Sequence, residues 1–195
     1  MNILIPLALL EAASICSAKR DPRKYLNGVT LIDGYIVSSD SERLFYCEHN
    51  SLLKLENQIT IPSQLIERLI KNSGRNKQNA LVEISDSLGD FHMCVDGDGN
   101  PVYEIFEPIE SVFPAEWKHM IPDNDGMQYK GIIPHFNWKH MVDFQKINKI
   151  LGAINPADTY LKPTGPDSAA HIYFYGNDYS KAKGLIMPIV ERSAA

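Results

Sequence analysis

The chain has 195 residues, of which 44% are hydrophobic and 22% charged, and its formal net charge at pH 7 is −5. This is an ordinary globular composition, sufficient for one core with or without an extra lobe, and it excludes disorder as the main state. The acidic balance excludes a protein coated in basic residues for nucleic acid, although a basic face on an acidic body is compatible with it.

The first predicted elements lie before residue 50. A short apolar strand at residues 2–5 is followed by a helix that begins after Pro6 and extends to Asp21, before Pro22. Apolar and polar residues then alternate on both sides of the turn pair at residues 33–34, which predicts a hairpin, and a third strand follows. The predicted order is β-α-β-β-β.

The same order begins again after residue 50. Residues 58–62 predict a strand that ends in proline, and Ser63 is predicted to cap the helix that follows it. Three strands are then predicted at residues 80–85, 91–95 and 102–106. A short helical turn is expected at residues 113–117.

A third copy follows the polar run at residues 123–126, which predicts a domain boundary. Residues 131–134 predict a strand, and the next helix is opened by Asn137 and ended by Gly152. Its three strands are predicted at residues 159–162, 171–175 and 184–190.

The three copies form an internal repeat in which N-I-L-I-P, Q-I-T-I-P and K-G-I-I-P each precede an amphipathic helix. A single unit has a small sheet that is apolar on one face, so two units must pair to cover their apolar faces. Three units leave one without a partner, and this odd unit predicts self-association.

Several motifs in these units resemble those of the bacterial DNA polymerase III β sliding clamps. L-N-G-V at residues 26–29 and S-S-D-S-E-R-L at residues 38–44 stand where the clamps have L-N-G-V and A-T-D-G-H-R-L. The F-P to I-P segment at residues 113–122, F-N-W-K-H-M at residues 136–141 and L-I-M-P-I at residues 185–189 also have clamp counterparts. The resemblance extends over nearly the whole chain.

This resemblance implies an α+β fold of DNA-clamp-like β-α-β-β-β repeats, with the helices on one face of antiparallel sheets. Residues 1–124 resemble a complete middle domain, and residues 125–195 resemble the C-terminal half of the last domain. Clamp subunits have three domains, or six units, and two subunits close a ring of twelve units. Three units per chain therefore imply a homo-oligomer, either a tetrameric ring or an open dimer that buries the odd units.

The resemblance also implies a pocket that accepts linear peptide motifs of polymerase and repair proteins. The matching positions are Ser39, Ser41, Glu42, Arg43, Leu44, Pro122, Met187, Pro188 and Ile189. Ser41 replaces a glycine of the family and Glu42 replaces a ring residue, so the pocket gains bulk and an anionic group.

Basic residues on the three predicted helices are candidates for non-specific contacts with double-stranded DNA, through the release of counterions from phosphates. The predicted DNA-facing residues are Lys19, Arg20, Arg23, Lys24, Arg68, Lys71, Arg75, Lys77, Lys139, Lys146 and Lys149. The alternative is that they are solvated cations, which are common on exposed helix faces and favourable at helix C-termini.

Catalytic and metal motifs are weak in this sequence. The acidic run at residues 96–100, with Glu107, matches oxygen positions of an EF-hand loop, but Pro101 stands where a glycine is needed, so a hairpin turn is favoured. His135 and His140 are five residues apart and lie on different faces of a helix, which disfavours a zinc pair. A hydrolase using a divalent metal at this run is the remaining enzymatic hypothesis.

The favoured interpretation is a non-catalytic, clamp-like protein of DNA replication or repair that needs neither cofactor nor metal. It binds DNA as an oligomeric ring, clamp-motif peptides, or both. The alternative is a peptide-binding module that competes with or recruits clamp partners without encircling DNA. Three widely spaced cysteines favour a reducing cytoplasm, and because no apolar run approaches ~20 residues, no membrane partner is expected.

Overall fold

A computed structural model describes residues 2–53, 55–73, 80–87, 90–97, 100–123 and 129–189. The strands are β1 (Asn2–Pro6), β2 (Gly28–Ile32), β3 (Tyr35–Ser39), β4 (Arg43–Glu48), β5 (Ile59–Pro62), β6 (Leu81–Ser87), β7 (Asp90–Gly97), β8 (Asn100–Phe106), β9 (Thr159–Lys162), β10 (Ala170–Phe174) and β11 (Ala182–Ile186). The α-helices are α1 (Leu7–Ser14), α2 (Ser63–Asn72) and α3 (Trp138–Ile150).

Two antiparallel sheets carry the fold. One has the strand order β1-β6-β7-β8, and the other has the order β5-β2-β3-β4-β11-β10-β9. Helix α1 packs against both α2 and α3. The predicted α+β class, with antiparallel sheets and repeated units, is confirmed. None of the helices in the described part of the chain has both the length and the apolar character of a membrane span.

The first two units exchange their first strands. Strand β1 precedes the first helix but pairs with β6 of the second unit, and β5 precedes the second helix but pairs with β2 of the first unit. In both pairs the residue before the proline is fully buried: Ile5 lies opposite Val82, and Ile61 lies opposite Val29. This exchange covers the apolar faces of both units.

Aromatic side chains cover the outer face of the seven-stranded sheet. The short 3-10 helix at Trp117–Met120 places Trp117, which is 1% exposed, against the rings of Tyr35 and Tyr46, with centroids 5.3 Å and 5.7 Å away. This helix lies later than the turn predicted at residues 113–117. The segment therefore gives the first unit a second, smaller apolar core behind the sheet.

The seven-stranded sheet crosses the predicted domain boundary, because β4 of the first unit pairs with β11 of the third. Strand β11 also packs closely on the helix of its own unit, since a Cβ atom at Gly184 would lie 2.7 Å from Phe144 of α3. Residues 124–126 of the predicted boundary lie outside the described residues. The division into domains at 1–124 and 125–195 remains a prediction.

The strand predicted at residues 131–134 is wrong, since the structure assigns no strand there. The first strands of the other units form only by pairing with the strands of another unit. The third unit has no such partner within the described chain. Accordingly, Ile132 is 89% exposed and Ile133 is 70% exposed.

Three smaller predictions also require correction. Helix α1 ends at Ser14 rather than at residue 21, because the hydroxyl groups of Ser14 and Ser17 donate to the backbone carbonyls of Glu11 and Ser14. Helix α2 has Pro62 at its N-cap, and the Ser63 hydroxyl donates instead to Ser17 Oγ at 2.6 Å.

The strand predicted at residues 184–190 is formed at Ala182–Ile186. Beyond it, the backbone N–H of Met187 donates to Glu42 O, at the turn that precedes β4.

Candidate functional site

The corner between β3 and β4 is a polar turn held by its own side chains. The Asp40 carboxylate accepts from the backbone N–H groups of Glu42 and Arg43, at 3.1 Å and 2.9 Å. Ser39 Oγ donates to Arg43 O and accepts from the N–H of Ser41. Ser41 has a φ of +73°, a left-handed conformation that favours glycine.

Arg43 joins this corner to helix α3. Its Nε lies 2.7 Å from Asp40 Oδ2 and its Nη1 lies 2.7 Å from Asp143 Oδ2, with the side chain only 10% exposed. Burial acts to raise the pKa of Asp143, but hydrogen bonds donated by Lys146 and Arg43 outweigh it and hold that pKa below its ordinary value. The pair therefore connects the first unit to the third through charge-assisted bonds.

Glu42 makes a second connection to the third unit. Its Oε2 lies 2.6 Å from His140 Nε2, and its backbone carbonyl accepts from the N–H of Met187 at 2.7 Å. The anionic group expected at this position is therefore engaged with α3. The same residue borders two different cavities, one on each side of the corner.

The first cavity is a mainly apolar pocket of about 160 Å³ between the first and third units. Its lining residues are Arg23, Tyr25, Leu26, Ser39, Ser41, Glu42, Arg43, Leu44, Phe113, Pro114, Met120, Ala169, Leu185 and Met187. Six of the nine residues predicted for the peptide pocket are in this lining, namely Ser39, Ser41, Glu42, Arg43, Leu44 and Met187. We call this cavity the corner pocket.

The other three predicted residues lie outside the corner pocket in the described structure. Pro122 O accepts from His171 Nε2 at 3.2 Å, and Pro188 is buried. Ile189 is 52% exposed and its N–H donates to His135 O. They support the segments around the pocket rather than line it.

Sequence reasoning missed most of the apolar wall of the corner pocket. Tyr25 directly precedes the L-N-G-V motif, Leu26 begins it, and Phe113 and Pro114 belong to the F-P motif, so a signal for these residues was present. Tyr25 and Phe113 contact each other edge to face, with ring centroids 5.6 Å apart. Ala169 carries no comparable signal, since only the approach of β10 to β11 places it there.

The second cavity is a polar groove between the helices, which three of the predicted DNA-facing residues border: Lys19, Lys139 and Lys146. Together with Arg43 they face four carboxylates in the same lining, those of Asp40, Glu42, Glu67 and Asp143. Lys19 lies 3.6 Å from Glu67, and Lys146 lies 2.7 Å from Asp143. The groove is therefore balanced in charge rather than basic.

The remaining predicted DNA-facing residues are dispersed. Arg23 lines the corner pocket and pairs with Asp21, Lys24 borders another groove, and Arg68 lies 3.2 Å from Glu104. Exposed positions are held by Arg20, Lys71 and Lys149. Arg75 and Lys77 lie outside the described residues.

The described residues offer little for catalysis or metal binding. They contain no group of three or more His, Cys, Asp or Glu residues that could hold a metal ion. Strands β7 and β8 pair as far as Gly97 and Asn100, which confirms the hairpin, while residues 98–99 of that loop lie outside the description. Cys16 and Cys47 are buried, and burial raises the pKa of Cys47 to about 12, so this thiol is not activated.

No protein-family model matches the sequence, and no curated protein matches it either. Solved structures of bacterial sliding clamps do match the fold. The DNA polymerase sliding clamp of Pseudomonas aeruginosa, crystallised with a ligand, aligns with a TM-score of 0.69 and 16% identity over 97% of this chain and 66% of its own.

Two further clamps align comparably. The C. crescentus β sliding clamp, with polyethylene glycol bound at a region assigned to β-motif tethering, has a TM-score of 0.67 and 14% identity over 97% of this chain and 65% of its own. The Bartonella birtlesii clamp bound to griselimycin has a TM-score of 0.67 and 16% identity over 97% of this chain and 66% of its own.

This chain thus spans 65–66% of the length of these three clamps. At 14–16% identity the likeness establishes the fold, while function has to be argued from the site. The repeat, the exchange of strands between units and the structural alignment agree. The chain has the fold of the bacterial DNA polymerase III β sliding clamps.

Proposed function

We propose that this chain is a non-catalytic, clamp-like binding protein of DNA replication or repair, which holds a linear peptide of a partner protein in the corner pocket. The observation that carries the proposal is the apolar pocket itself, formed where the first and third units meet. The C. crescentus clamp, which has the same fold, carries polyethylene glycol at a region assigned to β-motif tethering. A concave, mainly apolar site with a few polar groups is typical of ligand binding.

The exposed part of the pocket suits apolar peptide side chains. Met120 and Met187 are 48% and 46% exposed, and the flexible thioether of methionine adapts to varied apolar partners. The rings of Tyr25 and Phe113 form a firmer wall beside them. The Glu42 carboxylate lies 2.6 Å from His140 Nε2, so it is already engaged with α3 in the free protein.

A fluorescence anisotropy titration tests the pocket, using a labelled peptide that carries the clamp-binding motif of a bacterial polymerase. We expect saturable binding to the full chain, weakened by about tenfold or more in Met187→Asp or Met120→Asp, because each places a charge in the apolar wall. Leu53→Asp is the matched control, since Leu53 is also an exposed hydrophobic, at 66%, but lies outside the pocket lining. Equal affinity of all three variants would refute the assignment.

Binding of duplex DNA is the second candidate function. Lys19, Lys139 and Lys146 come from two separate parts of the chain to border one groove, which favours a contact with phosphates. The carboxylates in that groove oppose the contact, so we expect weak affinity that falls steeply between about 50 and 200 mM salt. Binding of the peptide without binding of DNA would select the alternative, a module that competes with or recruits clamp partners without encircling DNA.

Self-association in the cytoplasm completes the proposal. The homo-oligomer is either a tetrameric ring or a dimer, and the third unit, whose strand β9 ends the seven-stranded sheet, supports either form. A monomer at micromolar concentration, shown by light scattering, would contradict both forms. That result would leave the peptide pocket as a separate hypothesis.

A further inference from the structure

Strand exchange follows one rule in the first two units. In each, the strand before the helix leaves its own unit and adds to the edge of the other unit's sheet. It pairs there with the first of the three strands that follow the other unit's helix, so β1 lies beside β6 and β5 lies beside β2. The prolines occupy equivalent places, Pro6 opposite Leu81 and Pro62 opposite Gly28.

The third unit has both elements that such an exchange needs, a segment before its helix and a first strand after it. In the described structure neither element has exchanged with another unit. Residues 131–134 precede its helix but pair with no strand in the described part of the chain. Strand β9 is the first strand after α3 and forms one end of the seven-stranded sheet. The side chains on both are apolar and exposed: Ile132 at 89%, Ile133 at 70% and Tyr160 at 67%.

The two halves cannot pair within one chain. The backbone carbonyl of His135 accepts from the N–H of Ile189, which anchors the end of the segment beside the residues that follow β11. In the sheet, β10 lies between β11 and β9. With strands about 4.8 Å apart, the open edge of β9 lies about 10 Å from that anchor, on the far side of β10.

We propose that two copies of this chain pair through their third units, residues 131–134 of each copy forming a strand beside β9 of the other. A second copy fits because, among the described residues, every copy has one segment that joins no sheet and one end strand with a single neighbouring strand, so a twofold axis satisfies both at once. In the two existing exchanges the residue before the proline faces the core, as Ile5 and Ile61 do. The same rule places Ile133 on the core face of β9, which carries Leu161.

The start of α3 extends this surface. Trp138 is 80% exposed and Val142 is 49% exposed, one helical turn further along. In the paired first and second units, α1 packs against α2. Pairing of two third units brings the two copies of α3 together in the corresponding way, and covers both side chains.

The inference rests on the self-association included in the proposed function and is independent of peptide and DNA binding. Its test is the mass of the full chain by sedimentation velocity at micromolar concentration. The double variant Ile132→Pro, Ile133→Pro removes two backbone donors while keeping the segment extended, and Ile133→Asp places a charge at the core-facing position. We expect either variant to halve the mass of the wild type, whereas Leu53→Asp leaves it unchanged.

Three results would be decisive. A monomeric wild type overturns this inference together with self-association. An oligomer that withstands both changes at residues 131–134 overturns this inference alone and directs attention to β8, the end strand of the four-stranded sheet. Peptide titration of the same samples separates the two proposals, because a segment-dependent oligomer that binds no peptide supports the interface and refutes the pocket.

Discussion

At the scale of single residues, Ser41 and Arg43 determine the geometry of the corner between β3 and β4. Ser41 holds a left-handed backbone conformation where the clamp motif has glycine, and its Oγ accepts from Arg23 at 3.3 Å. Arg43 bonds to Asp40 and Asp143 and thereby connects the corner to α3. One residue sets the shape of the pocket rim, and the other fixes the rim to the third unit.

Replacing Ser41 with glycine tests the strain at the corner. A side chain in the left-handed region costs about 1–2 kcal/mol, part of which the bond to Arg23 offsets. We therefore expect Ser41→Gly to raise the free energy of unfolding by about 0.5–1 kcal/mol in urea. Ser180→Gly, in an exposed turn with an ordinary φ, is the control and gains nothing. A less stable Ser41→Gly protein would show that the Arg23 bond outweighs the strain.

Asp143→Asn tests the link between the units and its dependence on pH. Removing the charged acceptor of Arg43 is expected to lower the free energy of unfolding at pH 7 by about 2 kcal/mol. Because the folded pKa of Asp143 is lowered, its stabilisation is complete above the ordinary aspartate pKa and is lost as the pH falls through the folded value.

Thermal melts of the wild type and the Asp143→Asn variant measure this difference across pH. It is expected to stay constant from pH 7 to about 5 and to shrink below about 4. Asp167→Asn, an exposed aspartate, is the control and changes stability by less than about 0.5 kcal/mol. A difference that shrinks already between pH 7 and 5 would contradict the assignment to Asp143.

At the scale of elements, the strand exchange explains the glycine of the L-N-G-V motif. Strand β5 passes so close to β2 that a Cβ atom at Gly28 would lie 2.5 Å from Ile61 O. The backbone at Gly28 is extended, so the requirement is for space rather than for an unusual φ. Gly28, which the sequence marks as part of a family motif, thus allows the close contact between the first two units.

Gly28→Ala tests this close approach. We expect it to force β2 and β5 apart and to lower the free energy of unfolding by about 2–3 kcal/mol, measured in urea. Gly165→Ala is the control, because a Cβ there meets only the side chain of Ser168, which can move. If both variants are equally stable, pairing of the first two units does not depend on the glycine.

At the scale of the whole molecule, three units per chain and the end strands β8 and β9 suit a closed assembly. Third units pair in the exchange proposed above, and the end strand β8 of the other sheet offers a second edge, where Ile105 is 65% exposed. Two kinds of twofold contact in alternation can close a ring, and four chains would supply the twelve units expected of a clamp ring.

Light scattering of the full chain and two variants tests ring closure. We expect a mass of four times the 21.9 kDa chain, because both edges are filled in a closed ring. Either the double proline variant at residues 132 and 133 or Ile105→Lys reduces the tetramer to a dimer, and the combination gives a monomer. A wild-type dimer that Ile105→Lys leaves intact would restrict assembly to the third units.

The local elements follow from the sequence alone, because turns and caps depend on neighbouring residues. Asp33 and Gly34 both take the positive φ of a hairpin turn, and Asn137 caps α3 by accepting from the N–H of Lys139, as the sequence indicates. The repeat of three units, the α+β class and the resemblance to clamps could also be predicted from the sequence, since each rests on periodicity and short motifs.

Only the tertiary structure decided which strands pair and which side chains come together in the corner pocket and the groove. Residues 131–134 carry the same I-P ending as β1 and β5, yet they form no strand, because a strand requires a partner edge and the described part of the chain supplies one to the first two units only. The corner pocket likewise combines Tyr25, Met120 and Leu185 from distant segments, and carboxylates pair with two of the three groove lysines, Lys19 and Lys146. Contacts between residues far apart in the chain leave no local pattern in the sequence. The sequence therefore predicts the repeated units, whereas only the tertiary structure shows which units and side chains contact each other.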